Sequence, residues 1–366
     1  MRGHGVRVLI VGAGLAGLAA ARTLAAWGAE VRIVERAPRP HASGAGIYLH
    51  GNAVRALDHL GLAGDVAARA VTIQRQQVSD RRGRLLFDLD TRDLWHGVGP
   101  CLALPRTDLH QVLLAGAKDV PVSWACTPET ISDSPDDVWV DFSDGTTAAY
   151  DLVIGADGVH STVRRLVFDQ PAARPAGQYA YRFLARWPDA PTTWSLRLGR
   201  KSAVLTIPVT AEQVYCYCDA PLTDPPQPLP DILAECGEPV PDLLDRIELD
   251  VHSAPNEEVV LDRWSRGVVV LIGDAAHATA PNMAQGAAMA VEDAIVLAES
   301  LMVADTISEA LHVYERRRRP RTDWVLAQTR RREASRRLPP ALRNPLLHRV
   351  GRKLFHSNYQ PLRAAP

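Results

Sequence analysis

Glycine, aspartate and histidine fall into three short segments whose spacing could hold a phosphate-bearing ligand. They are Gly12-Ala13-Gly14-Leu15-Ala16-Gly17, then Gly155-Ala156-Asp157-Gly158, then Gly273-Asp274-Ala275-Ala276-His277. Each follows a short apolar run of buried-strand character, and two of them open a helical pattern. Unpaired N–H groups and the helix dipole favour negative charge at a helix start. Three junctions of this kind point to a long, phosphate-containing cofactor held at several places.

The first junction can be read in detail. Val6–Val11 has strand character, and Leu15 to Trp27 carries Leu, Ala and Trp at helical spacing until Gly28. The glycines between them permit a tight turn, close backbone approach to a pyrophosphate and close helix–strand packing. A second strand, Glu30 to Val34, ends at Glu35. A carboxylate there suits the two hydroxyls of a ribose and disfavours a ribose carrying a 2′-phosphate. A dinucleotide needing further contacts at the other two junctions is FAD.

Composition bounds the remaining possibilities. A chain of 366 residues exceeds one ordinary core, so two intertwined domains are expected. With 46% hydrophobic residues and a net charge of −1, it has no overall attraction to nucleic acid or anionic lipid. Cys101, Cys126, Cys216, Cys218 and Cys236 are scattered, and no Cys or His cluster completes a metal site. Reduced cysteines in a cytoplasmic protein are therefore expected. The N-terminus runs straight into the first strand, so no secretory leader is expected, and no apolar stretch is long enough to span a bilayer. Assembly stays open between monomer and homodimer.

The chain is organised as an α/β domain interleaved with a sheet. Strand, helix and strand run from Val6 to about Val71 and include the glycine-rich segment from Gly44 to Asn52. Residues 72–97 form a small antiparallel excursion, and Ser143-Asp144-Gly145 turns a hairpin between Trp139 and Tyr150. From Gly177 to Asp219 the alternation is that of strands: Trp194, Leu196 and Leu198 share a face, as do Tyr215 and Tyr217, and as do Cys216 and Cys218. After Leu261 the parallel-strand pattern returns with Val268–Ile272. The fold expected is a Rossmann-like α/β FAD-binding domain, residues 1–71, 98–176 and 262–332, around a mostly antiparallel β-sheet substrate domain, residues 72–97 and 177–261. A helical tail, 333–366, follows.

The chain from Val6 to about Arg332 resembles the class A flavoprotein aromatic hydroxylases, single-component FAD-dependent monooxygenases of the p-hydroxybenzoate hydroxylase type. The resemblance rests on Gly12, Gly14, Gly17 and Glu35, on Asp151–Arg164, and on Gly273–His277 with Pro281, Gln285-Gly286 and Glu292-Asp293-Ala294, in that order. It implies that the Asp157-Gly158 pair serves both FAD and the nicotinamide nucleotide. It implies too that Asp274 meets the flavin ribityl chain and that amides near Gly286 and Ala287 face the ring. Arg106, in an Arg-x-x-Leu setting, matches a family arginine on FAD, and Leu15, Ala16 and Arg36 flank the fingerprint. Three positions depart from the family: Ala284 and Ala288 stand where many members have Gly and Asn, and Gly51 replaces a common Pro. With no thioredoxin-like extension, the chain is closer to the shorter salicylate- or urate-hydroxylase-like members.

The resemblance implies a reaction in which NAD(P)H reduces the flavin, O2 adds to it, and the C4a-hydroperoxide hydroxylates a small aromatic or heteroaromatic ring. Such chemistry needs a dry pocket, which the faces of the inserted sheet could supply. His50, in the segment that passes near the ring in the family, and Tyr215 are the residues singled out for acid–base or hydrogen-bonding work on the substrate. His277 reads as structural. Arg182 or Arg197 could hold a carboxylate bidentately, but surface placement is the favoured reading for each, so no acidic substrate is inferred. The run Arg316–Arg319 with Arg321, Arg330, Arg331, Arg332, Arg336 and Arg337 reads as a solvated helix face rather than a nucleic-acid or membrane surface. A flavoprotein that transfers no oxygen, or a non-catalytic FAD binder, remains the alternative. A halogenase is disfavoured because the Trp-x-Trp-x-Ile-Pro signature is missing.

Overall fold

The computed structural model describes residues 3–40, 45–133, 137–168, 172–248 and 250–366. Gly44 lies outside the described residues. A six-stranded sheet forms the base, in the order β18 (Ser265–Arg266), β19 (Val269–Leu271), β12 (Leu152–Gly155), β1 (Arg7–Val11), β2 (Glu30–Glu35) and β8 (Val122–Trp124). All its pairings are parallel except β18 with β19. Its strands read as unbroken apolar runs because both faces are covered. Val8, Leu9 and Ile10 are fully buried, each contributing about 1.5–3 kcal/mol relative to exposure. Helices α1 (Leu15–Trp27) and α9 (Gly286–Val303) pack side by side, with the Thr23 hydroxyl donating to the Ala294 carbonyl at 3.4 Å.

The second large sheet has seven strands, in the order β17 (His252–Glu258), β13 (Arg174–Arg186), β16 (Gln213–Pro221), β15 (Ala203–Pro208), β14 (Thr193–Leu198), β5 (Arg75–Asp80) and β6 (Leu85–Asp90). Only the β14–β5 pairing is parallel. Strand pleat sends neighbouring residues to opposite faces. Phe183, Val204, Cys216 and Cys218 form one buried cluster with Ile232 and Leu233 of α7 (Leu229–Ala234), whereas Tyr215 and Tyr217 join the main core on the other side. All five cysteines are free and buried.

Two three-stranded sheets complete the β structure: β3 (Gly46–Leu49), β7 (Leu102–Pro105) and β4 (Val71–Thr72), and the hairpin β10 (Val138–Phe142) and β11 (Thr147–Tyr150) with β9 (Pro128–Asp133). Gly145 turns that hairpin at φ 79°. Helices α2 (Gly51–His59), α3 (Ala63–Ala67), α4 (Thr91–Leu94), α5 (Arg106–Gly116), α6 (Thr162–Val167) and α8 (Asp274–His277) fill the connections. The chain ends in α10 (Ile307–Arg336) and α11 (Pro340–Tyr359), and α11 lies against β6. Among the described residues no helix is long and apolar enough to cross a membrane.

The arginine run corrects the sequence expectation of a solvated face. Arg316 and Arg317 are exposed, but Arg318 has no exposed surface. Arg318 Nη1 donates to Glu292 Oε2 at 2.8 Å and its Nε to Asp293 Oδ1 at 2.7 Å, with both carboxylates equally buried. Arg321 adds a second fork onto Glu292 at 2.7 and 2.8 Å. Helical spacing from Tyr314 places Arg318 on the inward stripe, so it follows the core rather than solvent. Burial raises the Asp293 carboxyl, but His277 and Arg318 outweigh it and bring it down to about 2.

Two outcomes follow. Arg318→Met removes the cation shared by two buried carboxylates, leaving Glu292 to Arg321 and Asp293 to His277, and should cost about 3–5 kcal/mol in denaturant unfolding, an unchanged midpoint refuting the assignment. Because Asp293 is depressed on folding, its contribution should be complete above its ordinary carboxylate value. It should fade as pH falls from about 4 towards about 2, and Asp293→Asn should flatten that part of the stability–pH curve.

Candidate active site

The fingerprint glycines divide their work. Gly12 sits at φ 108°, and a Cβ there would lie 2.5 Å from the Ala156 carbonyl oxygen. A Cβ on Gly17 would lie 1.9 Å from the Gly12 oxygen. Both therefore let α1 close against β1 and the Ala156 turn. Gly14, the residue capping α1, has open space around its Cβ position and supplies no side-chain cap. The first N–H groups of α1 are left for an anion.

Glu35 ends β2 beside this turn. Its Oε2 accepts from the Ala13 amide at 2.8 Å and its Oε1 from the Ala37 amide at 2.9 Å. Each oxygen keeps a lone pair for a ribose hydroxyl. Around them lies a cavity of about 280 Å³ whose walls include Trp124, Cys126 and Asp157. A larger cavity, about 1020 Å³, shares Gly14, Arg36, Arg106 and Gly158 with it and continues past Leu15, Ala16 and Asp274. The two chambers thus adjoin along one path, the shape an elongated dinucleotide requires.

The second and third motifs meet beside that path. Asp157 accepts from the Ser161 hydroxyl at 2.5 Å and from the Thr162 and Val163 amides at 2.6 and 3.1 Å, so it fastens the start of α6. Burial pushes its carboxyl up despite these bonds. Arg164 ties the motifs together, donating to the Ala275 carbonyl at 2.9 Å and to the Val159 carbonyl at 2.6 Å. Pro281, Gly286 and Ala287 line the large cavity with Asp274. Gly273, Gln285 and Gly17 line neither chamber. Gly273 adopts φ 59°, donates to Asp293 Oδ2 at 2.8 Å and would bring a Cβ to 2.9 Å from that of Ala16. Gln285 is buried and exchanges amide hydrogen bonds with Asn52 at 2.9 and 3.3 Å. Ala284 is held at φ 49°, the left-handed region that glycine enters without strain, so a glycine here would relieve the backbone.

Both residues singled out for substrate chemistry line the large cavity. His50 lies among the rings of Tyr48, Trp95 and Tyr359, with centroids 4.7, 5.5 and 4.5 Å away. Burial, reinforced by Arg332, drives its imidazole down to about 3, and Nδ1 has no partner among the described residues. Burial pushes the Tyr215 hydroxyl up to about 12. Of the arginines, Arg182 reaches the cavity, donating to Asn256 at 2.8 Å, whereas Arg197 donates to the Glu238 carbonyl at 3.1 Å outside it. His277 bonds Asp293 at 2.6 Å, in keeping with a structural residue.

Sequence patterns did not reveal four contributors to the walls. Asn256 sits on an edge strand with no motif around it, Arg332 lies within an arginine-rich stretch, and Phe355 with Tyr359 belongs to α11, beyond the region of resemblance. Their only visible signal is the helical spacing of Gly351, Phe355 and Tyr359, which are the buried residues of that turn.

Comparison with known proteins agrees with this geometry. The family model described as FAD binding domain matches residues 5–329. The chain is 36% identical over 346 residues to a 3-amino-4-hydroxybenzoate 2-monooxygenase of Streptomyces cremeus, covering 89% of this chain and 86% of that one. It is 33% identical over 337 residues to a 2-heptyl-3-hydroxy-4(1H)-quinolone synthase of Pseudomonas aeruginosa, covering 88% and 87%. The crystal structure of Klebsiella pneumoniae HpxO with FAD and uric acid superposes with a TM-score of 0.82 at 28% identity, covering 99% of this chain and 94% of that one. With a cradle for a dinucleotide continuous with a large second chamber, the chain belongs to the FAD-binding family of class A flavoprotein aromatic hydroxylases.

Proposed function

We propose that this protein is a single-component monooxygenase that uses FAD, NAD(P)H and O2 to hydroxylate a small aromatic or heteroaromatic molecule, as its relatives acting on an aminohydroxybenzoate and a quinolone suggest. The observation that carries the reading is the continuity of the cofactor cradle with a chamber walled by the seven-stranded sheet. When bound and reduced by NAD(P)H, FAD would activate O2, from which one oxygen atom passes to an electron-rich ring carbon and the other leaves as water. The α1 amides and Gly14 would hold the pyrophosphate and Glu35 the ribose, with the charges of Arg36 and Arg106 placed where the two chambers adjoin. Asp274 would meet the ribityl chain, and Pro281, Gly286 and Ala287 the ring.

The protein's own part is exclusion of water and orientation of the ring. Val78, Leu196, Leu205 and Phe87 line the chamber with apolar surface, which keeps a reactive oxygen donor from hydrolysis. Tyr215 keeps its proton at working pH, so it would donate a hydrogen bond to the substrate. His50, neutral down to about pH 3, is a weak base at neutral pH, and its role would be to pack and to hydrogen-bond. Buried free cysteines support a reducing, cytoplasmic setting, and assembly as a monomer or homodimer is to be read by light scattering.

Oxygen uptake by the FAD-loaded protein with NADH or NADPH, across phenols and N-heteroaromatics, tests the function. One ligand should accelerate uptake while peroxide falls well short of the oxygen consumed, and peroxide equal to oxygen with every ligand would favour a flavoprotein that inserts none. Gly17→Ala should purify without the visible absorbance of bound flavin, because its Cβ cannot coexist with the Gly12 carbonyl. Between pH 5 and 9, His50→Asn should leave the shape of the kcat profile unchanged even if its height falls. Loss of a limb in that range would make His50 a titrating base.

A further inference from the structure

The registers of the seven-stranded sheet align one residue from every strand in a single row across the cavity wall. His252 on β17 pairs with Arg182 on β13, and Arg182 with Tyr217 on β16. Tyr217 pairs with Leu205 on β15, Leu205 with Leu196 on β14, Leu196 with Val78 on β5, and Val78 with Phe87 on β6. Paired residues share a face, and every member of the row lines the large cavity. The row is polar over its first three strands and wholly apolar over the last four. Neighbouring strands lie about 4.8 Å apart, so the step from Tyr217 to Phe87 extends roughly 19 Å.

The two ends differ in surroundings as well as side chains. Over the apolar end lies α11: a Cβ on Gly351 would meet Phe87 Cδ1 at 2.3 Å, and the Phe355 ring stands 5.7 Å from that of Phe87 and 6.3 Å from that of Trp194. At the polar end the Arg182 guanidinium stacks 5.4 Å from the Tyr217 ring and bonds Asn256. Asn256 in turn donates to the Tyr217 hydroxyl at 2.8 Å, which donates to Asp219 at 2.9 Å. Asp219 is already paired with Arg336, and Glu257, another acid on this wall, with His160 at 3.2 Å. Among the described residues Arg182 therefore has no carboxylate partner, though it is fixed in place by a hydrogen-bonded chain. A positioned cation of this kind inside a cavity calls for an anion.

We propose that the substrate is an elongated amphiphilic aromatic whose acidic head is held by Arg182 and whose apolar body, longer than a single ring, lies along Leu205, Leu196, Val78 and Phe87 under α11. This deepens the hydroxylase reading and rests on it for the position of the reacting ring. Arg182 and Leu205 become specificity residues, one for the head and one for the body.

The test is equilibrium binding of 6-alkylsalicylates, from salicylate to the heptyl compound, followed by perturbation of the flavin absorbance of the FAD-loaded protein without NADH. Affinity should rise about fourfold per added methylene while the chain stays within the slot. Leu205→Trp should flatten that slope, with Leu196→Phe as the second variant should the first fail to fold. Arg182→Met should weaken every member about tenfold or more and leave the slope intact. A wild-type affinity independent of chain length, or a slope that survives both slot substitutions, overturns the body assignment. Unchanged affinities in Arg182→Met with a raised KM for NADH would give the cation to the nicotinamide nucleotide and overturn the head assignment. Binding needs no turnover, so a sloped series without any oxygen transfer would refute the hydroxylase reading alone.

Discussion

One buried ion pair organises the cofactor side of this protein. Glu292 and Asp293 are consecutive on α9, and each of their oxygens has an assigned donor. Asp293 holds Arg318 with one oxygen and both the Gly273 amide and His277 with the other. Glu292 holds Arg318 and Arg321, and at 3.3 Å accepts from Asn52, whose amide is also paired with Gln285. Moving such charges out of water is costly, and a fully buried pair rarely stabilises more than a well-packed apolar cluster would. What it can do is fix register. From Arg318 outward, the Gly273–Asp274 turn, the start of α2 and the Gln285–Gly286 start of α9 are held at set positions, and these are the segments that meet on the flavin path.

The substrate side follows from a different constraint, the pleat of the seven-stranded sheet. Period-two alternation divides β16 into a cysteine face and a tyrosine face. The cysteine face is closed by α7 and the residues after it, and the tyrosine face is the one that walls the cavity. Cross-strand pairing then carries the chemical character of that wall from strand to strand. A slip of one residue by β15 or β16 would turn Leu205 or Tyr217 away from the cavity, so the shape of the chamber and the stability of the sheet are coupled.

The two sides meet at Gly46 and Tyr215. A Cβ on Gly46 would lie 2.5 Å from that of Tyr215, so β3 of the small β3–β7–β4 sheet touches β16 almost backbone to side chain. Among the described residues, the cofactor cradle and the row of apolar residues line one continuous cavity. That closeness makes Gly46 a position where any side chain would push β3 and β16 apart.

Glycine turns, strand–helix alternation and the acid at Glu35 were legible in the sequence because each is a local matter. Backbone conformations that only glycine enters easily, and a ligand set at a helix start, need no distant partner to be recognised. The same holds for the alternation of Trp194, Leu196 and Leu198. Arg318 was not legible, since a charged residue inside an arginine run looks solvated until Glu292 and Asp293 come to meet it from another helix. Nor was the contribution of α11, whose Gly351 and Phe355 carry no motif and take meaning only from Phe87 across the cavity. The sequence by itself therefore determined the cofactor class and the alternating faces. Tertiary structure decided which charges are buried, that Gln285 and Gly273 brace the site rather than line it, and how seven strands align into one graded wall, because each depends on residues brought together across long stretches of chain.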